Sequence, residues 1–71
     1  MEATMNGMTG KIAGQIWQYL KDNGPSTALK IKSALGISNS FLFLGLGWLE
    51  REDKIELSEF EHTLKISLKQ Q

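Results

Sequence analysis

Seventy-one residues allow one domain, and a domain this small buries only about 60% of the surface its unfolded chain exposes. Eight Lys and Arg balance eight Asp and Glu, so the chain lacks the basic excess usual in proteins held to nucleic acid mainly by phosphate contacts. With no cysteine and a single His62, a disulfide framework, a thiol nucleophile and a multi-histidine metal site are excluded, and no metal or cofactor is expected.

Residues 1–7 are small and polar without an apolar period, which predicts a loose leader ahead of one domain over residues 8–71. No basic segment followed by an apolar core opens the chain, and the run from Phe41 to Leu49 is less than half the roughly 20 residues that span a bilayer. A cytoplasmic protein without a membrane partner is expected. Thr9 can cap a helix over residues 9–22, in which Ile12, Ala13, Ile16 and Leu20 recur at helical spacing and Asn23-Gly24-Pro25 supplies the stop. Trp17 and Tyr19 flank that stripe.

Ser26 or Thr27 can cap a short second helix that turns Ala28, Ile31 and Leu35 inward and Lys30, Lys32 and Ser33 outward, with Gly36 ending it. Ser38 can cap a third, whose Leu42, Gly45, Leu46 and Leu49 fall at i, i+3, i+4 and i+7 and so face the core. Two short helices joined by Gly36-Ile37 make a helix-turn-helix. Past Asp53 the period becomes alternating: Ile55 and Leu57, then Leu64, Ile66 and Leu68, mark the inner sides of two half-buried strands. The segment 58–62 between them has no Asn-Gly or Gly-X pair, which predicts a longer loop. Three helices followed by a two-stranded β-hairpin wing give an α+β fold of winged helix-turn-helix order.

Gly45-Leu46-Gly47-Trp48-Leu49-Glu50-Arg51-Glu52-Asp53-Lys54-Ile55 resembles the third helix and following turn of a family of small stand-alone winged helix-turn-helix proteins of bacteria and archaea. The resemblance extends over about residues 9–68. That family's pattern ALGWLARE, then KI, is matched with Gly45 for the first Ala, Glu50 for the second, and Asp53 at a turn position often held by Gly or Asn. The resemblance implies a DNA-binding-type domain, commonly dimeric, with no catalytic residues to carry over.

Around the third helix, Asn39, Ser40, Phe43, Leu44, Gly47, Glu50 and Arg51 fall opposite the core stripe, on the face that such a domain lays in the major groove. Asn39 and Ser40, beside unpaired backbone N–H groups, suit base edges or phosphates. Lys30, Lys32, Arg51, Lys54 and Lys65 suit phosphates. A transcriptional-regulator-type module with double-stranded DNA as partner is the leading expectation. The alternative is a non-enzymatic protein-interaction or homodimerisation module using Phe43, Leu44, Gly47 and Trp17. A shifted helical phase that sends Phe43 or Leu44 into the core stays open, because the run is apolar nearly all round.

Glu50, Glu52, Asp53, Glu56, Glu59 and Glu61 oppose phosphate contact, above all at the wing tip. Gly45 and Gly47 each cost about 1 kcal/mol relative to alanine within a helix, which points to close approach by the first helix at Gly45 and by a partner at Gly47. Trp17 and Trp48 can stack on bases, but Trp48 adjoins the core stripe and is expected to wedge against the hairpin or the first helix. His62 reads as an exposed turn residue with no nucleophile to serve, so catalysis is not expected, nor is a small-molecule substrate or an enclosed pocket for one.

Overall fold

Ile12, Ala13, Ile16 and Leu20 form one buried stripe on helix α1 (Met5–Asn23), as their spacing predicts. The computed structural model describes the backbone of residues 5–69 and the side chains of residues 10–69. Helix α1 begins ahead of Thr9, which is an interior position and not the cap. No proline stands before it to forbid helical backbone, so the helix continues outward. Residues 5–7 of the predicted leader are therefore helical, and residues 1–4 lie outside the described residues.

Gly24, at φ 82°, ends α1 by donating its N–H to the Leu20 carbonyl at 2.7 Å. Next comes a strand not expected from sequence, β1 (Ser26–Thr27), since two residues carry no visible alternation. Buried Ser26 donates its hydroxyl to the Gly24 carbonyl at 2.9 Å. Thr27 caps helix α2 (Ala28–Leu35), its Oγ1 accepting the Lys30 N–H at 3.1 Å. Ile31 is fully buried, while Ala28 and Leu35 pack half-buried on the core. Gly36, left-handed at φ 64°, closes the helix, with its own N–H and that of Ile37 both donating to the Lys32 carbonyl.

Ser38 caps helix α3 (Asn39–Arg51), its Oγ accepting the Phe41 N–H at 3.2 Å. Leu42, Gly45, Leu46 and Leu49 are buried, whereas Phe43 and Leu44 are exposed, so the helical phase is the one the core stripe predicts. A Cβ at Gly45 would stand 2.7 Å from Ile16 Cδ1 and 2.9 Å from Ile12 Cγ2, which explains that glycine: α3 lies too close to α1 for any side chain there. Gly14 is different. It is exposed on α1, and a Cβ there would meet nothing within 4 Å. Gly14→Ala is expected to stabilise the domain by about 1 kcal/mol, raising the thermal midpoint by about 4–8 °C in a calorimetric scan. An unchanged midpoint would contradict the helical, unpacked setting of Gly14.

The end of α3 uses Asp53 in a left-handed conformation at φ 61°. Its N–H donates to the Glu50 carbonyl and that of Lys54 to the Leu49 carbonyl, each at 2.9 Å, satisfying two of the last carbonyls of the helix. Strands β2 (Ile55–Phe60) and β3 (Thr63–Leu68) then pair antiparallel from Ile55 opposite Leu68 to Phe60 opposite Thr63. Ser26 pairs with Ile66 and Thr27 with Lys65, so β3 is the middle of a three-stranded sheet ordered β1-β3-β2.

Two sequence expectations are corrected in the sheet. Pairing of Phe60 with Thr63 leaves only Glu61 and His62 between the strands, both left-handed at φ 51° and 66°, so the turn has two residues and is not a longer loop. The register that puts Ile55 opposite Leu68 and Leu57 opposite Ile66 prevails over the local cost of two side chains at positive φ. Leu57, expected to face inward beside Ile55, is 37% exposed. It lies on the edge strand, and burial in β2 is confined to Ile55, whereas Ile66 in the middle strand is fully covered.

Candidate nucleic-acid interface and a second groove

Packing of Leu42, Gly45, Leu46 and Leu49 on one side of α3 leaves the other side to solvent. Asn39, Ser40, Phe43, Leu44, Gly47, Glu50 and Arg51 are all exposed there, as the helical wheel predicts. Asn39 and Ser40 lie in the first turn, next to the Ser38 cap, and Arg51 is the last helical residue. Asn39 and Arg51 therefore stand about 18 Å apart along the axis at 1.5 Å per residue. Lys30 is exposed on α2 and Lys32 half-buried. Lys65 is exposed on β3, on the sheet face opposite the buried Ile66.

Apolar groups and carboxylates are exposed as well. Phe43 is 54% exposed and Leu44 40%. Leu29 on α2, at 70%, was not singled out from sequence, although a leucine between inward Ala28 and outward Lys30 falls off the apolar period. Glu50, Glu52, Glu56, Glu59 and Glu61 are exposed. Asp53 is ion-paired with the Lys69 ammonium, and that hydrogen bond, reinforced by the carboxylate charge, holds the Lys69 pKa above its ordinary value. His62 occupies the exposed hairpin turn.

Two of the sequence candidates, neither of them on α3, meet in a groove beside it. Lys54 and Trp17 line a groove of about 300 Å³ between α1 and α3, together with Trp48, Gly10, Gly14 and Glu52. Trp48 is about 140° around the helix from Phe43 but only about 40° from Leu44, so the groove points away from Phe43 and adjoins the Phe43–Leu44 strip at its Leu44 edge. Trp48 does lie toward α1, as expected, yet it is 39% exposed and only partly wedged. Trp17 is half-buried against the core, with the Lys21 ammonium 5.0 Å from its ring centroid.

The profile of the family described as winged helix-turn-helix domain (DUF2582) matches residues 1–68. The chain belongs to this family. Three helices, the α2–α3 turn and the hairpin wing are the parts of a winged helix, and domains of this fold commonly bind DNA. Among curated proteins none matches the chain. Among the described residues no helix of this winged helix is long and apolar enough to cross a membrane.

Proposed function

We propose that this winged helix is a non-enzymatic, cytoplasmic DNA-binding module of the transcriptional-regulator type, with α3 as the recognition helix. The observation that carries the proposal is the outer face of α3, which is solvent-exposed from Asn39 to Arg51 while the opposite face is fully used in the core. Asn39 and Ser40 contact base edges or phosphates at the helix start. Lys30, Lys32, Arg51, Lys54 and Lys65 contribute phosphate contacts, with Lys54 set apart from the others by its place in the Trp17–Trp48 groove. Zero net charge and the wing carboxylates keep single-domain affinity low, so two copies or a larger assembly supply specificity.

Exchanging Lys30→Glu together with Lys32→Glu is expected to weaken binding to mixed-sequence duplex DNA at least tenfold at low salt, read by fluorescence anisotropy. Unchanged affinity would remove α2 from the contact surface. A second reading is favoured by the adjacent exposed Phe43 and Leu44, which with Gly47 make an apolar strip suited to a second copy or another protein. Under that reading Phe43→Glu abolishes self-association in sedimentation experiments, while the lysine pair leaves it intact.

A further inference from the structure

We propose that the groove between α1 and α3 binds a planar aromatic monocarboxylate, with its ring against the Trp17 and Trp48 wall and its carboxylate on Lys54. The chain has two tryptophans; they come from different helices, and both line this groove. Trp48, 39% exposed, offers indole surface that the core leaves uncovered. Gly10 and Gly14 stand one helical turn apart on the α1 wall, where a Cβ at either would meet nothing within 4 Å. Packing among the described residues therefore does not require these glycines. They cut back the wall beside the indoles and leave room for a flat ring.

Charge selects the rest of the ligand. A neighbouring hollow of about 290 Å³ shares Trp17 and Lys54 with the groove and adds Lys21, Leu68 and Lys69. Lys21 is engaged over the Trp17 ring and Lys69 with Asp53, whereas Lys54 has no carboxylate partner among the described residues. An aromatic group carrying one negative charge satisfies both the indoles and Lys54. Glu52 on the same rim disfavours a second negative charge, which sets phosphomonoesters and free nucleotides apart from a monocarboxylate. The volume is at the small end of ligand sites and fits one bicyclic ring system.

The test is a titration of isotope-labelled full-length protein with naphthoate, followed by amide and indole NMR signals. Both indole Nε1–H signals and the amides of Gly10, Gly14 and Leu49 are expected to shift saturably with one Kd, on the order of 1 mM or tighter. Neutral naphthalenemethanol is expected to bind about two- to fivefold more weakly, and Lys54→Gln to reduce the acid to the level of the alcohol. Gly14→Leu projects into the groove from a position with open space around it, so it retains the native spectrum and loses the shifts. Absence of saturable indole shifts overturns the proposal. So does equal binding of acid and alcohol, or full binding in the Gly14→Leu protein. Shifts seen with a short single-stranded oligonucleotide but not with naphthoate also overturn it, and assign the indoles to base stacking.

Discussion

Gly45→Leu is expected to cost about 3 kcal/mol or more, a large share of the roughly 4–10 kcal/mol that a domain of this length holds. The position has no room for even a first carbon: it would stand 2.7 Å from Ile16 Cδ1 and 2.9 Å from Ile12 Cγ2, with the Ala13 backbone nitrogen at 3.5 Å. Ile16 is wholly buried and cannot swing its terminal methyl into solvent, and the Ile12 branch methyl is fixed by a stiff χ1. Gly45→Ala recovers about 1 kcal/mol of helix propensity, but overpacking outweighs it, so a net loss of about 1 kcal/mol is expected. Ile16→Val removes the methyl that makes the shorter contact, so the double variant should lose less than the sum of its two single changes. Urea unfolding with an unchanged slope measures each loss. Strict additivity, or a Gly45→Leu protein as stable as the parent, would contradict the close approach of α3 to α1.

The hairpin turn gives the second large effect, with the opposite sign. Glu61 and His62 both hold positive φ, where an L side chain costs about 1–2 kcal/mol per residue. A two-residue turn with both φ positive favours Asn-Gly, whose residues tolerate that region. Replacing Glu61→Asn and His62→Gly together should therefore stabilise the domain by about 2 kcal/mol and raise the thermal midpoint by about 8 °C or more. A longer, relaxed loop would gain nothing from the exchange. An unchanged or lowered midpoint would contradict the two-residue turn.

The features legible in the sequence are those in which side-chain chemistry repeats at the period of the backbone. The i, i+3, i+4, i+7 pattern marks Leu42, Gly45, Leu46 and Leu49, but in a run apolar nearly all round it leaves the phase against Phe43 and Leu44 open until packing on α1 decides it, whereas Ser38 and Gly36 punctuate the helices where capping chemistry puts them. The hairpin turn was not legible, because Glu61-His62 contains neither Asn nor Gly and its conformation is imposed by strand pairing. Strand β1 is too short to show a period, and exposure of Leu57 follows from its place on the edge strand, not from its alternation. Among the candidate site residues, the exposure of Asn39, Ser40 and Arg51 followed from the helical wheel. The meeting of Trp17, Trp48 and Lys54 in one groove did not, since it depends on how α1, α3 and the start of β2 are arranged in space.

Recording backbone amide NMR spectra while adding mixed-sequence duplex DNA at low salt, then raising the salt, tests the role of α3 most directly. Shifts at Lys30, Lys32 and along residues 39–51 that reverse as salt is raised are the predicted result. A spectrum unchanged by DNA at low salt would contradict α3 as a recognition helix and leave its Phe43–Leu44 strip as a protein-binding surface.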